Sequence, residues 1–391
     1  MDPIEKYPQG HWTVGEQKFI NKYQALLHGQ LTQQPVNFVY FNETWQQFDR
    51  SLLGKFSLQE LYKQRAQQLR DKYDYLILYF SGGADSWNVL RSFVDNGIHL
   101  DEVCVKWCKD TIKSGMYTPN EKETSAINYL SEWDYAISPA LEWLKKTHPS
   151  TNIEILDWFA DKKLNKLEDI FQIVNHWHDV EVHSLAVWSP SENKMIDNGK
   201  TVGSIYGIDK PITYFDNGYA YMCFTDGGTG MGTPNPVNIY GTEYFYWSPS
   251  FPILSFEMAY QTILSFQKDP QLASTIITKD NRWDTSFMIA SWQIQQKKLR
   301  HILYDNWTDR FQALKPITAD RSDKHKWLFR HPELVRYQEA FTDMFGMHRS
   351  EIKNSVYIDE TSPYKSLPTK RIVVCPATIP NHVKPLVIPQ I

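Results

Sequence analysis

The chain has 391 residues and a formal net charge of -4, with 42% hydrophobic and 22% charged residues. This ordinary globular composition excludes a disordered or collagen-like chain, and the length predicts roughly two to three domains. The mildly acidic balance does not indicate binding to nucleic acid or to an anionic membrane. Aromatic residues make up 14% of the chain, and the 14 tryptophans are spread from Trp12 to Trp327. That spread indicates core packing rather than a dedicated stacking platform.

Cysteine usage indicates a reducing compartment. The four cysteines lack the paired spacing of a zinc site and the density of a secreted disulfide scaffold. The first ten residues do not read as a signal peptide. No apolar run approaches the roughly 20 residues required to span a bilayer. We therefore expect a cytoplasmic protein with no membrane partner.

Residues 1–70 are predicted to form a helical N-terminal extension. Residues 14–28 have helical spacing of apolar positions, and residues 37–42 read as a short extended piece. Ser57 followed by Glu60 predicts a capping box and a helix running toward Tyr73.

Residues 71–225 alternate between strand and helix patterns. The strand candidates are 75–80, 103–107, 153–159 and 201–206. The first is a nearly continuous apolar run, which is typical of a strand buried on both faces of a parallel sheet. This alternation predicts an α/β fold with a doubly wound parallel sheet.

Two further regions follow. Residues 226–352 begin with a Gly-rich segment, 226–232, which we interpret as a passive connection slightly in preference to a mobile lid. Aromatic strand-like pieces and helices near 255–268 and 285–303 come next. Its dense aromatic cluster, 240–247, is predicted to form a surface that closes over a ligand site of the preceding region or meets a partner. Residues 353–391 are predicted to be an extended, Pro-rich tail.

The most informative segment is Ser81–Ser86, Ser-Gly-Gly-Ala-Asp-Ser, between the first apolar strand and a helix. A helix start presents unpaired N–H groups and the positive end of the helix dipole, which together bind phosphate. Gly82 and Gly83 let the backbone turn and approach an anion. Ser81 and Ser86 add hydroxyl donors. The alternative is a structural Gly-Gly turn with no ligand.

Asp85 is the unusual member of this loop, because phosphates repel a carboxylate. We interpret it as a magnesium ligand or as a cap on the helix. Other nucleotide motifs do not fit, since no lysine follows the loop as in a Walker sequence and the third glycine of a dinucleotide fingerprint is missing.

In this strand–loop–helix setting, Ser81–Ser86 resembles the loop of the PP-loop ATP pyrophosphatases, the adenine-nucleotide alpha-hydrolase-like superfamily. That superfamily includes asparagine synthetase and phosphoadenosine phosphosulfate reductase. The loop match covers six residues, and the strand alternation agrees over about residues 74–216. The chain as a whole also resembles phage-type proteins with this domain, which would place it in a host cytoplasm.

The resemblance implies ATP and Mg²⁺ as cofactors and cleavage between the alpha and beta phosphates. It implies that Ser81, Gly82, Gly83, Asp85 and Ser86 hold the pyrophosphate portion, with Asp85 as the metal ligand. It also implies that the adenine lies beside the end of the second strand. The corresponding positions here are Val105, Lys106 and Trp107. Trp107 either stacks on the base or belongs to the core, and a solvated Lys106 is favoured over a ligand contact.

A second loop, Gly207-Ile208-Asp209-Lys210, follows the fourth strand candidate. Ligands of open α/β sheets bind outside the carboxyl ends of the strands, so this loop is predicted to share an edge with Ser81–Ser86. The loop is similar to one found in several PP-loop proteins. Lys210 would neutralise charge on the alpha phosphate, and Asp209 would ligand magnesium. The alternative is a turn that simply ends a strand.

Two other clusters favour structural interpretations. His176, His178, Asp179 and His183 invite a metal interpretation, but nothing places them on one face, so a polar surface turn is favoured. The basic run 297–301 is interpreted as a solvated helix face.

The predicted function is an ATP-dependent, AMP-forming enzyme of ligase or amidotransferase type whose acceptor substrate is unknown. Cys375-Pro376 lacks the Cys-Gly pattern of the sulfonucleotide reductases, and Cys104 and Cys108 do not form the pair used in sulfur transfer. A relative of those enzymes with altered chemistry is therefore an alternative. A nucleotide-binding module without turnover is the other.

Overall fold

The computed structural model describes residues 3–107, 133–156, 188–208, 210–216, 218–229, 234–276, 294–295, 298–304 and 369–376. Its strands are β1 (His11–Val14), β2 (Gln17–Phe19), β3 (Val36–Val39), β4 (Tyr75–Tyr79), β5 (Glu102–Lys106), β6 (Asn152–Leu156), β7 (Val202–Tyr206), β8 (Ile212–Asp216), β9 (Tyr219–Cys223), β10 (Thr242–Tyr244) and β11 (Ile372–Pro376). Its helices are α1 (Lys22–Thr32), α2 (Asn42–Gln47), α3 (Leu58–Lys72), α4 (Ala84–Val94), α5 (Ser138–Thr147), α6 (Pro190–Asp197), α7 (Asp226–Thr229), α8 (Pro252–Lys268) and α9 (Pro270–Ala273). Within these ranges no helix is long and apolar enough to cross a membrane.

A five-stranded, all-parallel sheet forms the centre of the molecule, in the order β10-β7-β4-β5-β6. The chain runs outward from β4 through β5 to β6, then crosses back to β7 and β10 on the other side of β4. The α/β prediction is confirmed, and the four predicted strands are β4, β5, β6 and β7. The sheet continues past the predicted boundary at residue 225, because its fifth strand comes from residues 242–244.

Helices cover both faces of this sheet, which is compatible with a doubly wound arrangement. Arg65 of α3 donates to the carboxylate of Glu243 in β10 at 2.7 Å, on the face of the sheet that also carries Ile205. Glu192 of α6 accepts from Tyr79 of β4 at 2.9 Å and from Ser204 of β7 at 2.7 Å, on the opposite face. The predicted capping box at Ser57 and Glu60 is present and begins α3.

The N-terminal region is not purely helical, contrary to the prediction. A three-stranded antiparallel sheet, β2-β1-β3, precedes α3 and packs against α1. The predicted helix over 14–28 is wrong in its first half, since Gly15 has a φ of +57° and forms the turn between β1 and β2. Left-handed backbone suits glycine and ends a helical run. The predicted strand at 37–42 corresponds to β3.

A third sheet joins distant parts of the chain. β9 pairs with β8 as a hairpin and with β11 on its other edge. The part of the predicted tail that the structure describes is therefore extended, as expected, and it is a strand of this sheet. The predicted helix near 255–268 is confirmed as α8. Of the predicted helix at 285–303, the described residues 294–295 and 298–303 are helical.

The aromatic cluster at 240–247 belongs to the core rather than to an exposed surface. Tyr244, Phe245, Tyr246 and Trp247 are at most 3% exposed, whereas Tyr240 alone is 60% exposed. Each buried ring removes a large apolar area from water. The cluster therefore packs β10 and the residues after it against the surrounding helices.

Candidate functional site

The topology places two loops side by side at the carboxyl end of the sheet. β4 lies between β5 and β7, and the chain reverses its direction of travel across the sheet between β4 and β7. Loops that follow strands at such a reversal form the usual ligand crevice of an open α/β sheet. The loop after β4 contains Ser81–Ser86, and the loop after β7 begins at Gly207. The prediction that these two loops share an edge is confirmed.

The Ser81–Ser86 loop is held in shape by its own hydroxyl groups. The Ser81 and Ser86 Oγ atoms lie 3.2 Å apart, and the Ser81 hydroxyl accepts from the Gly83 N–H at 3.3 Å. Ser86 donates to the Gly83 carbonyl at 3.2 Å. Gly82 has a φ of +75°, and a Cβ there would lie 2.6 Å from Ile137. Both the turn and the close packing therefore require glycine at position 82.

Helix α4 begins directly after the loop. Gly83 is the N-cap residue, and as a glycine it provides no side-chain capping hydrogen bond. The amide donors of the first turn and the positive end of the dipole therefore point toward the loop. Asp85 lies in that first turn, where a carboxylate is electrostatically favoured.

Gly207 brings the second loop into contact with this helix start. A Cβ at Gly207 would lie 3.0 Å from both the Cα and the backbone nitrogen of Ser86. Any larger residue would push the two loops apart. Gly207, predicted to contact the cofactor, thus packs closely against the backbone of Ser86 at the start of α4. Asp209, the other predicted ligand of this loop, lies outside the described residues.

Lys210 and Asp85 are joined by an ion pair. Lys210 Nζ lies 2.8 Å from Asp85 Oδ1, with the two side chains 13% and 24% exposed. The two predicted catalytic residues are therefore brought together across the two loops. A half-buried pair of this kind is less screened by salt than a surface pair.

Two tyrosines complete this cluster. Sequence reasoning included Tyr246 only as a member of the aromatic cluster 240–247, and it missed Tyr304. The Tyr304 hydroxyl donates to Asp85 Oδ1, and Lys210 Nζ lies 3.4 Å from the same hydroxyl and 5.4 Å from the ring centroid. The Tyr246 hydroxyl donates to the Asp85 carbonyl at 2.8 Å. Burial raises the pKa of Tyr246, so this hydroxyl keeps its proton. Tyr304 lies in no local motif that would have identified it.

The three positions predicted to meet the adenine differ in their surroundings. The side chains of Val105 and Trp107 are buried. The ring of Trp107 lies 5.3 Å from that of Trp133, and its backbone N–H donates to the Leu156 carbonyl at 2.8 Å. These contacts favour the core interpretation of Trp107, and its N–H is already used within the sheet.

Lys106 extends over the face of Tyr79, with Nζ 4.9 Å from the ring centroid. Tyr79 in turn stacks on Tyr206 with ring centroids 4.7 Å apart. Burial lowers the pKa of Lys106 to about 8. Lys106 is therefore a half-buried amine at the carboxyl end of β5 rather than a freely solvated lysine.

The thiols that the structure describes do not favour sulfur chemistry. Cys104 and Cys223 are buried, and burial raises the pKa of each, that of Cys223 to about 12. A buried thiol with a raised pKa is a poor nucleophile. Cys108 lies outside the described residues, as do His176, His178, Asp179 and His183.

The donor set at Asp85 suits a magnesium ion that arrives with a nucleotide. Mg²⁺ commonly binds through one or two carboxylates together with substrate phosphates and water, so a single aspartate is sufficient. Among the described residues there is no group of three or more metal-ligating side chains. In the basic run, Lys298 forms a partly exposed ion pair with Asp269 at 2.5 Å.

The geometry thus assembles a glycine loop, a helix start with glycine at its N-cap, a carboxylate and a lysine at one crevice of the sheet. Comparison of the chain with family models, curated proteins and solved structures finds no match.

Proposed function

We propose that this chain is an ATP-binding enzyme of the PP-loop type, which cleaves ATP between the alpha and beta phosphates to adenylate an acceptor. The observation that carries the proposal is the Ser81–Ser86 loop at the point where the chain reverses across the sheet, with Lys210 reaching it from the neighbouring loop. Loop and lysine occupy the crevice in which open α/β sheets bind ligands.

Each group at the crevice has its own role in the proposed reaction. The first-turn amides of α4 and the loop glycines bind the beta and gamma phosphates. Asp85 holds magnesium, which neutralises charge on the phosphates when it is bound. Lys210 stabilises the negative charge that develops as an acceptor oxygen attacks the alpha phosphorus. The bond between that phosphorus and the bridging oxygen breaks, pyrophosphate leaves, and an amine then displaces AMP from the acceptor.

A non-catalytic nucleotide-binding module is the second candidate. It is favoured by one observation, namely that the Asp85 carboxylate is already held by Lys210 and Tyr304. A carboxylate held in this way suits a protein that binds nucleotide without turning it over.

Product analysis separates the two candidates. The protein is incubated with Mg·ATP and a panel of carboxylic acids and amines, and AMP and pyrophosphate are quantified. Formation of both products supports the enzyme, and binding of ATP without products across the panel supports the module. Absence of any nucleotide binding would refute both.

The Asp85→Ala variant tests the assignment of the loop. It should abolish magnesium-dependent turnover and leave the fold intact, since Asp85 is partly exposed. Asp95→Ala is the matched control, because Asp95 follows the same helix and pairs with Arg91 at 2.7 Å, away from the loop. Unchanged turnover in Asp85→Ala would remove the role assigned to this residue.

A further inference from the structure

The segment 298–304 is docked onto the start of helix α4 by Tyr304. Tyr304 and Leu303 are fully buried, and the Leu303 carbonyl accepts from the Tyr62 hydroxyl at 2.6 Å. The Tyr304 ring lies 6.0 Å from that of Tyr246, whose hydroxyl reaches the Asp85 carbonyl. The Tyr304 hydroxyl itself donates to Asp85 Oδ1. The segment therefore contacts the phosphate loop through a hydrogen bond that is surrounded by packed aromatic rings.

The same carboxylate oxygen accepts from both Tyr304 and Lys210. A magnesium ion that bound Asp85 through this oxygen would displace both donors, and it would be repelled by the Lys210 ammonium. Lys210 can turn to an incoming phosphate, which offers it a new anion. The Tyr304 hydroxyl cannot turn to the phosphate in the same way, because its ring is buried.

Resting on the proposed function, we infer that Tyr304 is a positioning residue that holds Asp85 in the nucleotide-free protein and loses this hydrogen bond when the magnesium of Mg·ATP takes Asp85 Oδ1. The contact couples occupancy of the phosphate loop to the docking of residues 298–304. Nucleotide binding thereby loosens a segment that lies 219 positions from Asp85 in sequence.

The coupling has two measurable consequences. In the wild type, breaking the Tyr304 hydrogen bond on binding costs free energy. Tyr304→Phe lacks this bond, so it should bind Mg·AMPPNP about tenfold more tightly. A tenfold change corresponds roughly to the free energy of one hydrogen bond to a charged group. Nucleotide without magnesium does not compete for Asp85, so its affinity should be unchanged. In the wild type, Mg·AMPPNP should also speed amide hydrogen exchange in residues 298–304.

The experiment combines calorimetry of Mg·AMPPNP and AMPPNP binding with hydrogen exchange, on the full chain. Tyr40→Phe is the control for loss of a buried hydroxyl, because Tyr40 is fully buried and donates to the Trp247 carbonyl away from the loop. Tyr62→Phe is the control for a loosened segment, because it removes a contact to Leu303 without touching Asp85.

The inference is supported if only Tyr304→Phe gains affinity and only when magnesium is present. Equal gains in Tyr62→Phe would show that general loosening, not the Asp85 contact, is responsible. Weaker binding by Tyr304→Phe, or exchange in 298–304 that slows or stays constant, would overturn the inference while leaving the proposed function intact. A wild-type protein that binds no nucleotide would overturn both.

Discussion

Lys210 and Asp85 form an ion pair across two loops that are 125 positions apart in sequence but follow adjacent parallel strands. Because the two side chains share one crevice, a change at either alters the charge that a phosphate would meet. The pair is therefore the most direct place to test the proposed chemistry.

Replacing Lys210 with methionine keeps the length of the side chain and removes its charge. If Lys210 stabilises charge on the alpha phosphate, turnover should fall roughly 100- to 1000-fold, the effect typical of losing one such donor. AMP formation under saturating Mg·ATP measures it. Lys200→Met is the control, since Lys200 is exposed and remote from the loop. Equal turnover in the two variants would contradict the role of Lys210.

Gly207→Ala tests whether the contact between the loops matters for binding. The added methyl group would lie 3.0 Å from the Ser86 backbone, so the loops must separate and nucleotide affinity should fall about tenfold or more. Calorimetry with Mg·AMPPNP checks this. Gly199→Ala is the control, because Gly199 has a φ of +75° with open space around it. It costs about 1 kcal/mol of stability through backbone strain and should leave affinity unchanged.

Lys106→Met should raise stability at neutral pH. The pKa of Lys106 is about 8 in the fold, below the ordinary lysine value of about 10.4, so the unfolded chain holds the proton more tightly. Wild-type stability must then rise with pH between those two values, and the variant lacks this dependence.

Urea unfolding at pH 7 and near pH 10 measures the Lys106 effect. The variant should be the more stable protein at pH 7, and its advantage should shrink as the pH approaches 10. A constant difference in unfolding free energy between the two proteins across this range would show that burial does not destabilise the charged form of Lys106.

Glu243→Gln should destabilise the fold. Glu243 accepts from Arg65 and from Lys72, each at 2.7 Å, and is mostly buried. Burial raises its pKa, but the two cations outweigh burial and hold the pKa below its usual value. Removing the anion leaves Arg65 buried and unpaired, at a cost of about 3–5 kcal/mol.

This stabilisation has a defined pH range. A lowered carboxyl pKa contributes stability above the unfolded value of about 4.3, and the contribution is lost as the pH falls through the folded pKa. The difference between wild type and Glu243→Gln should thus be full at pH 7 and shrink below about pH 4. The exposed Glu142→Gln serves as control and should change stability by less than about 0.5 kcal/mol. A difference that does not change with pH would contradict this account.

Local signals predicted the centre of the molecule well. The apolar run of β4, the Ser-Gly-Gly turn and the amphipathic α4 are contiguous, so their spacing alone predicts strand, loop and helix. The proximity of Lys210 to the loop also followed, because parallel strands bring their carboxyl ends to one edge. In the N-terminal region, Gly15 was the overlooked signal. A glycine inside an apparent helical run marked the turn between β1 and β2.

Tyr304 and the strand β10 could not be predicted in this way. Tyr304 reaches Asp85 from 219 positions away, and no periodicity links the two segments. β10 is only three residues long, and its aromatic residues suited a binding surface as well as a core. Long-range packing, rather than local pattern, decides both cases.

Several N-terminal residues contact residues that the ribosome adds much later, so the order of synthesis matters for folding. Trp12 donates to Asp226 and Tyr40 to the Trp247 carbonyl, over separations of 214 and 207 residues. At a ribosomal rate of 5–20 residues per second, the N-terminal sheet waits about 10 to 40 s for these partners. Its aromatic side chains need protection from aggregation during that time. The Ser81–Ser86 segment gains its contact with Tyr304 later still, because the ribosome reaches Tyr304 only after all of these residues.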